Sequence, residues 1–235
     1  MNLENRKAIV LGGTSGIGLE TALQLKSKGA EVIAVGRSEG NLETAAAAGL
    51  TARQCDVLDE GAMQALFEEH APFDALVCAA TGGSRANGPF LQMDMEGYRG
   101  SFAKLWGYAN AVRYGAPHLS DDGAIVLVSG APARRATPGS VALSSVGGAV
   151  EALCRATAKE LAPRRINVVS PGIIDTPMFA VPEEQREAFL SGATKNFIIP
   201  RAGKSDEVAQ AILFTIENDF VTGTTVDVDG GWLLS

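Results

Sequence analysis

Positive charge, cysteine and long apolar runs are all scarce in this chain, and each scarcity excludes a class of protein. The 20 lysines and arginines are outnumbered by 27 aspartates and glutamates, which gives a net charge of −7 at pH 7. This balance argues against a nucleic-acid groove or an anionic membrane surface as the main partner. No apolar run reaches the length of a membrane span. We therefore expect a small-molecule substrate, no nucleic-acid partner and no membrane partner.

The three cysteines, Cys55, Cys78 and Cys154, are far apart in the sequence. They form neither a CxxC pair nor a spacing typical of a metal site, so we expect no metal. Each stands in an apolar run, which predicts a small buried hydrophobic side chain. The N-terminus leads directly into an apolar segment without the pattern of a signal peptide, and we expect a cytoplasmic location.

Apolar runs of strand length alternate with amphipathic segments of helix length along the chain. This alternation predicts parallel strands joined by right-handed crossovers, and no linker interrupts it. We therefore expect an α/β fold: one doubly wound Rossmann-type domain over residues 1–235, with a parallel sheet of about seven strands and helices on both faces. Strands are expected at 7–11, 31–35, 51–55, 75–79, 124–128, 166–169 and 224–228. Helices are expected at 17–28, 41–48, 59–70 (with Asp59 as its cap), 96–114, 140–161, 183–190 and 205–217.

A glycine-rich turn follows the first predicted strand and opens the first predicted helix. Glycine allows the chain to turn sharply there, and it lets phosphate oxygens approach a backbone where a side chain would clash. The helix that follows directs its N-terminal amides at the same point. A glycine pattern alone is weak, but the strand–turn–helix context predicts a nucleotide site. Its candidate residues are Gly12, Thr14, Ser15, Gly16, Ile17 and Gly18.

The end of the second strand predicts which dinucleotide is bound. An acidic residue there would hold the 2′-hydroxyl of NAD, but this chain has Arg37 and Ser38. A guanidinium can pair with a 2′-phosphate, so the sequence favours NADP(H) over NAD(H); a solvated surface arginine is the alternative. Asp56, after the third strand, is a candidate acceptor for the adenine amino group, or else a cap for the next turn.

These motifs together resemble the short-chain dehydrogenase/reductase family over nearly the whole chain. The family's Thr-Gly-x-x-x-Gly-x-Gly begins here at Leu11, its Asp-Val pair matches Asp56-Val57, its Pro-Gly loop matches Pro171-Gly172, and its Val-Asp-Gly-Gly ending matches residues 228–231. The resemblance implies a nicotinamide-dependent oxidoreductase that forms a homodimer or homotetramer through its two long helices. It also implies a mobile substrate lid over about 178–203. It adds the cofactor contacts Val57, Ala79, Ala80, Pro171, Gly172, Ile174 and Thr176.

The chain departs from this family at the catalytic residues. The family uses a serine, a tyrosine and a lysine, and these positions align with Gly130, Leu143 and Gly147. Realignment does not restore them, because neither tyrosine nor lysine occurs between Tyr114 and Lys159. The resemblance is therefore to an atypical member that lacks the serine, tyrosine and lysine.

Lys104 is the leading candidate for a replacement. It stands near the position of the family's helical asparagine, where burial beside a nicotinamide would lower the pKa of an ammonium and make it a proton donor. The alternative is a lysine that extends from an interface helix. Ser129 and Ser144 are weaker candidates for substrate contact, and Arg134 and Arg135 for holding an anionic group.

Two functions remain open at this point. The first is an NADP(H)-dependent oxidoreductase with a non-standard active site, acting on a carbonyl, an alcohol or an activated double bond. The second is a catalytically inactive NADP(H)-binding sensor or scaffold protein, favoured by the joint loss of the three catalytic residues. A third possible function, a cofactor-independent lyase or isomerase, is supported by no residue. The fold alone does not distinguish among these three functions.

Overall fold

A parallel seven-stranded sheet with helices on both faces forms the body of the molecule. The computed structural model describes residues 1–81, 83, 85–179 and 181–235. Its strands are β1 (Lys7–Leu11), β2 (Glu31–Gly36), β3 (Thr51–Gln54), β4 (Phe73–Cys78), β5 (Leu119–Val128), β6 (Arg165–Pro171), β7 (Ile174–Asp175), β8 (Gly203–Lys204) and β9 (Thr225–Val228). The main sheet has the order β3-β2-β1-β4-β5-β6-β9, and β7 pairs with β8 separately. The prediction of a doubly wound sheet of about seven strands is confirmed.

Helices connect successive strands. They are α1 (Gly16–Ser27), α2 (Glu39–Ala47), α3 (Glu60–His70), α4 (Met95–Ser101), α5 (Ala103–Gly115), α6 (Val141–Thr157), α7 (Glu183–Thr194) and α8 (Ser205–Glu217). The predicted Asp59 cap of α3 is confirmed, since its side chain accepts a hydrogen bond from the Ala62 amide at 2.9 Å. Among the described residues, no helix is both long enough and apolar enough to cross a membrane.

The sheet separates two hydrophobic cores, as expected when alternate residues of a strand face opposite sides. On β1, Ile9 and Leu11 pack with α3, α5 and α6, whereas Ala8 and Val10 pack with α1 and α8. All three cysteines are buried and free, as predicted. The central strands are therefore apolar on both faces, and polar chemistry is confined to their ends.

The structure corrects three predicted helix boundaries. The single helix expected over 96–114 is divided at Phe102, where the Ser101 hydroxyl bonds back to the Gly97 carbonyl and also accepts from the Ala86 amide. Such side-chain bonds compete with helical ones. Helix α6 ends at Thr157, four residues before the expected end, and α7 extends four residues further than expected.

Candidate active site

A cavity of about 980 Å³ lies at the carboxyl ends of the central strands. The strand order reverses direction beside β1, because β2 lies on one side of it and β4 on the other. In doubly wound sheets this is where a crevice opens and ligands bind. The loops that follow β1, β2, β4, β5 and β6 all contribute lining residues.

The glycine turn at one end of this cavity is fixed by close backbone contacts. A Cβ on Gly12, which has φ +82°, would lie 2.6 Å from the Ala80 nitrogen, and a Cβ on Gly18 would lie 2.1 Å from the Gly12 oxygen. No larger side chain fits either position. Ser15 precedes α1, and its side chain caps no amide of the described helix. The N-terminus of α1 is therefore open towards the cavity, as an anion site requires.

The cavity collects nearly every residue that the sequence assigns to a cofactor. Asp56 is the exception among them, since it is absent from the described lining. Its carboxylate accepts from the Leu58 amide at 3.0 Å and stands 3.6 Å from an Arg37 nitrogen, so the turn-capping alternative describes its contacts. The predicted residues that do line the cavity are Gly12, Thr14, Ser15, Gly16, Ile17, Gly18, Arg37, Ser38, Val57, Ala79, Ala80, Pro171, Gly172, Ile174 and Thr176.

Arg37 lies at the outer end of the cavity, beyond the tip of β2. Ser38 and Asn41 line the cavity beside it. Gln54 donates a hydrogen bond to the Arg37 carbonyl at 2.9 Å, which ties the β2 end to the end of β3. A guanidinium nitrogen of Arg37 lies 3.6 Å from an Asp56 carboxylate oxygen, and the side chain lines the cavity wall.

Lys104 lines the opposite end of the cavity, in the first turn of α5. Its ammonium donates to the Ser129 carbonyl at 3.1 Å and lies 5.5 Å from the centre of the Tyr108 ring. Tyr108 is fully buried and donates its hydroxyl proton to the Val128 carbonyl. The tip of β5 thus holds both side chains and turns the Lys104 ammonium towards the cavity.

Burial, together with the nearby positive charge of Arg85, lowers the pKa of Lys104 to about 7. Arg85 also lines the cavity, and burial lowers its pKa from the ordinary value as well. Sequence reasoning missed Arg85, because nothing in the pattern of the loop after β4 distinguishes it from a solvated arginine. A lysine with a pKa near neutrality can give up a proton at physiological pH.

Ser129 joins Lys104 to a second charged group. Its hydroxyl lies 3.4 Å from a carboxylate oxygen of Glu151, which is 4% exposed. Arg134 donates to the same carboxylate at 3.2 Å and also pairs with Asp227. Glu151, which the sequence analysis did not single out, is therefore a buried carboxylate whose charge is compensated by Arg134.

Three other candidates lie elsewhere. Ser144 is not among the described lining residues; its hydroxyl lies 3.4 Å from that of Ser140 on the same helix face. Arg134 and Arg135 do not line the described cavity either, and Arg135 donates to the Trp232 carbonyl at 2.7 Å. A substrate-binding role for these three side chains finds no geometric support, because internal contacts already engage them.

The positions that align with the family's catalytic residues do line the cavity. Gly130, Leu143 and Gly147 all face it. A Cβ on Gly147 would lie 2.9 Å from that of Ala133, in the short 3-10 turn Ala131–Ala133, so α6 approaches this turn too closely for a larger residue without a shift. At Gly130 an added Cβ would make ordinary contacts, the nearest at 3.6 Å.

The C-terminal turn contributes one side chain to the cavity wall. Asp229 accepts hydrogen bonds from the Gly231 and Leu233 amides, which explains the Val-Asp-Gly-Gly ending as a turn. This turn places Trp232 in the cavity wall, where its ring stacks on that of Phe197 with 5.3 Å between centroids.

The predicted lid, about 178–203, begins at the cavity wall. Met178 and Phe179 line the cavity, and Phe179 packs against Phe189 of α7 at 5.6 Å. Phe197 is buried, whereas Ile198 is 62% exposed. Residue 180 of this segment lies outside the described residues. The described part of this segment thus contributes two apolar side chains to the cavity wall, and one of them, Met178, contacts Arg85.

Sequence comparison places the chain in a family. The family model described as enoyl-(acyl-carrier-protein) reductase matches residues 12–233. The 3-oxoacyl-[acyl-carrier-protein] reductase of Thermotoga maritima is 32% identical, and the alignment covers 100% of both chains. The chain therefore belongs to the short-chain dehydrogenase/reductase family, and its relatives of this type are oxidoreductases.

Two solved structures are similar over nearly the whole fold. A small-chain dehydrogenase in complex with NADPH is 31% identical, with a TM-score of 0.86 over 99% of this chain and 100% of that one. An NADPH-bound short-chain oxidoreductase of Pseudomonas aeruginosa PAO1, described as containing an atypical catalytic centre, is 30% identical, with a TM-score of 0.89 over 97% of this chain and 96% of that one.

Proposed function

We propose that this protein is an NADP(H)-dependent oxidoreductase with a non-standard active site, which acts on a carbonyl, an alcohol or an activated double bond. One observation carries the proposal: a single cavity joins the glycine turn and Arg37 to Lys104. A dinucleotide bound along it would have its phosphates at the N-terminus of α1 and its reactive end among side chains that can polarise a substrate. The oxidoreductase relatives support the same class of reaction.

The residues of the cavity fit NADP(H). The turn at Gly12–Gly18 and the open end of α1 suit the pyrophosphate, and Arg37 with Ser38 suits the 2′-phosphate. The two similar structures that contain NADPH agree with this preference. Ile174 would contact the nicotinamide carboxamide through its backbone, and Thr176, which lies beside Gly16 of the turn, would contact the cofactor near its phosphates.

Lys104 replaces the missing tyrosine as the proton donor in this proposal. The cofactor, when bound, would supply the hydride that reduces a carbonyl carbon. The Lys104 ammonium would give its Nζ proton to the carbonyl oxygen and would regain a proton from solvent. The hydrogen bond to the Ser129 carbonyl orients the ammonium, and the low pKa makes transfer possible at neutral pH. In the oxidation of an alcohol, the neutral amine would accept the proton.

The alternative, a catalytically inactive NADP(H)-binding sensor or scaffold, rests on a specific observation. Leu143 stands where the family has its tyrosine, and the contact between Gly147 and Ala133 blocks the lysine position. A cavity that holds the cofactor without a proton donor would bind without turnover.

We also propose a homodimer or homotetramer in which α5 contributes to the interface. Trp106 on α5 is 62% exposed, and aromatic side chains of this kind are enriched at protein–protein interfaces. Val150 on α6 cannot contribute, since it is fully buried in the protein's own core. The three free cysteines suit a reducing compartment such as the cytoplasm.

The test has two stages. Titration with NADPH and NADH, followed by nucleotide fluorescence, should show binding, and tighter binding for NADPH. Consumption of NADPH is then followed with a panel of aldehydes, ketones and enones. Turnover of any of these compounds supports the oxidoreductase. Tight nucleotide binding without turnover of any compound supports the sensor or scaffold. If neither NADPH nor NADH binds, both proposals are overturned.

A further inference from the structure

The charge of the cavity is opposite to that of the protein. The whole chain has a net charge of −7, yet the described residues that line the cavity include three cations and no aspartate, glutamate or histidine. The cations are Arg37, Arg85 and Lys104. Low-dielectric walls concentrate such a field inside a cleft, so the cavity attracts anions.

The cofactor accounts for only one of these cations. Arg37 follows β2, whereas Lys104 contacts the carbonyl that follows β5. Three strand-to-strand steps separate these strands in the sheet, which corresponds to about 14 Å at the usual strand spacing. The pyrophosphate of a bound dinucleotide would lie at the N-terminus of α1, and its 2′-phosphate would lie at Arg37. Arg85 and Lys104 are therefore left at the end where the substrate enters.

Among the described residues, Arg85 has few of the partners that a guanidinium normally has. The structure shows one hydrogen bond from its side chain to a described residue, at 2.9 Å to the sulfur of Met178. A thioether sulfur is a weak acceptor, and a guanidinium carries five N–H donors. Arg85 is half-buried, and partial burial without a carboxylate partner among the described residues disfavours its charge, which lowers its pKa. An anion between Arg85 and Lys104 would offset it.

We propose that Arg85 binds an anionic oxygen group of the substrate, a carboxylate or a phosphate, while Lys104 faces the reacting oxygen. This inference rests on the proposed function for the reacting oxygen, but the binding step does not depend on turnover. Met178, Phe179 and Leu143 supply apolar contacts around the same space, so the substrate combines an apolar body with one anionic group. The fork of donors on arginine fits both carboxylate and phosphate, often through two parallel hydrogen bonds.

A bound anion would also change the state of Lys104. The positive charge of Arg85 contributes to the low pKa of Lys104, and an anion on Arg85 would offset that contribution. The ammonium would then be more fully protonated when a charged substrate is present than when the cavity holds no anion. Binding of the anionic group at Arg85 would thereby increase the protonated fraction of Lys104.

Three aldehydes that differ in a single substituent test the proposal. They are para-carboxybenzaldehyde, para-formylphenyl phosphate and methyl para-formylbenzoate, of which the last is uncharged. Calorimetric titration of each into the NADP-saturated protein measures binding, and consumption of NADPH measures turnover. Arg85→Gln removes the charge, Arg85→Lys retains it, and Arg99→Gln removes an exposed charge of α4 outside the described cavity lining.

We expect at least one charged aldehyde to bind more tightly than the ester. Arg85→Gln should weaken that binding about 10- to 100-fold, the usual range for a lost hydrogen bond to a charged group, and leave the ester unchanged. Arg85→Lys should recover part of the loss, and Arg99→Gln should change nothing. Which charged probe binds better separates carboxylate from phosphate as the natural group.

Two results would overturn the inference: the charged aldehydes bind no more tightly than the ester, or Arg85→Gln weakens the ester equally. Failure of the proposed function looks different. In that case the charged probes bind in an Arg85-dependent way, but no NADPH is consumed with any of them.

Discussion

The two ends of the cavity are built in different ways. At the proposed cofactor end the shape is set by backbone: Gly12 and Gly18 are in contact with main-chain atoms of Ala80 and Gly12, and no side chain larger than hydrogen fits. At the proposed substrate end the available functional groups are side chains, chiefly Lys104 and Arg85, and the carbonyl of Ser129 accepts a hydrogen bond from the lysine.

This difference explains where the chain has kept its family's pattern and where it has not. A backbone turn of this kind admits almost no substitution, because a Cβ added at its glycines would collide with neighbouring main-chain atoms. The functional groups of a side-chain site are easier to exchange, since a proton donor can reach the same space from a different element. Lys104 approaches from α5, whereas Leu143 and Gly147 stand on α6. The proposed site keeps the cofactor end and replaces the catalytic end.

The largest expected effect tests the cofactor end. Gly18→Ala places a Cβ 2.1 Å from the Gly12 oxygen, so the turn must open, and we expect NADPH affinity to fall by at least about 100-fold. Gly40→Ala is the control, because nothing lies within 4 Å of its added Cβ. Fluorescence titration measures both, with thermal melts to show that the variants fold. A folded Gly18→Ala protein with unchanged affinity would contradict the comparison.

The next effect tests the substrate end. Lys104→Met removes the proposed proton donor, and kcat for carbonyl reduction should fall by about 100-fold or more. In the wild type, kcat/KM, which reports groups of the free enzyme, should also decline as pH rises through about 7, because the neutral amine cannot donate a proton; the variant should lack this decline. Lys159→Met, at an exposed lysine, is the control. Steady-state rates across pH decide, and equal rates in the variant would exclude Lys104.

A smaller effect concerns the choice of cofactor. Arg37→Ser should weaken NADPH binding about 10- to 100-fold through loss of a charged hydrogen bond to the 2′-phosphate, with NADH binding nearly unchanged. Arg53→Ser, which alters an arginine of β3 paired with Glu69 outside the described cavity lining, should affect neither. If NADPH and NADH lose affinity equally, Arg37 does not read the 2′-phosphate.

The stability of the nucleotide-free protein reports on Lys104 without any substrate. Its folded-state pKa of about 7 lies below the ordinary lysine value of 10.5, so burial of the ammonium costs stability in full below pH 7. Between these values the folded protein releases a proton that the unfolded chain keeps, and stability rises with pH. Lys104→Met should therefore melt above the wild type at about pH 6, with a gap that narrows towards about pH 9. A gap that is constant across pH would contradict the lowered pKa.

The smallest effect separates two neighbouring glycines of α6. Gly148→Ala adds a Cβ that meets nothing within 4 Å and should raise the free energy of unfolding by about 1 kcal/mol, the usual helix preference for alanine. Gly147→Ala adds a Cβ 2.9 Å from that of Ala133 and should lose this gain or reverse it. Thermal or denaturant unfolding measures both. Equal gains would show that the lysine position of the family is open after all.

Much of the fold could be predicted from the chain. The alternation of apolar and amphipathic segments predicted the parallel sheet, and most strands lie within two residues of their predicted bounds. The exceptions are β5, which begins five residues early, and the short strands β7 and β8, which were not predicted. The break at Phe102 could not be predicted, because it depends on the Ser101 hydroxyl meeting the Ala86 amide from a distant loop. The proposed cofactor residues of the glycine turn could be predicted for the same local reason as the strands, because they are consecutive in the chain; the remaining proposed contacts came from the family resemblance.

By itself, the sequence determined the family, the glycine turn and the absence of a tyrosine and a lysine from α6, because each depends on the identity or order of residues near one another in the chain. Only the tertiary structure brought Arg85 and Lys104 to one end of the cavity, buried Glu151 behind Ser129 and closed Gly147 against Ala133. These relations join residues from separate crossovers. Burial and the distance between charges, which decide the pKa of Lys104, exist only once those crossovers have packed.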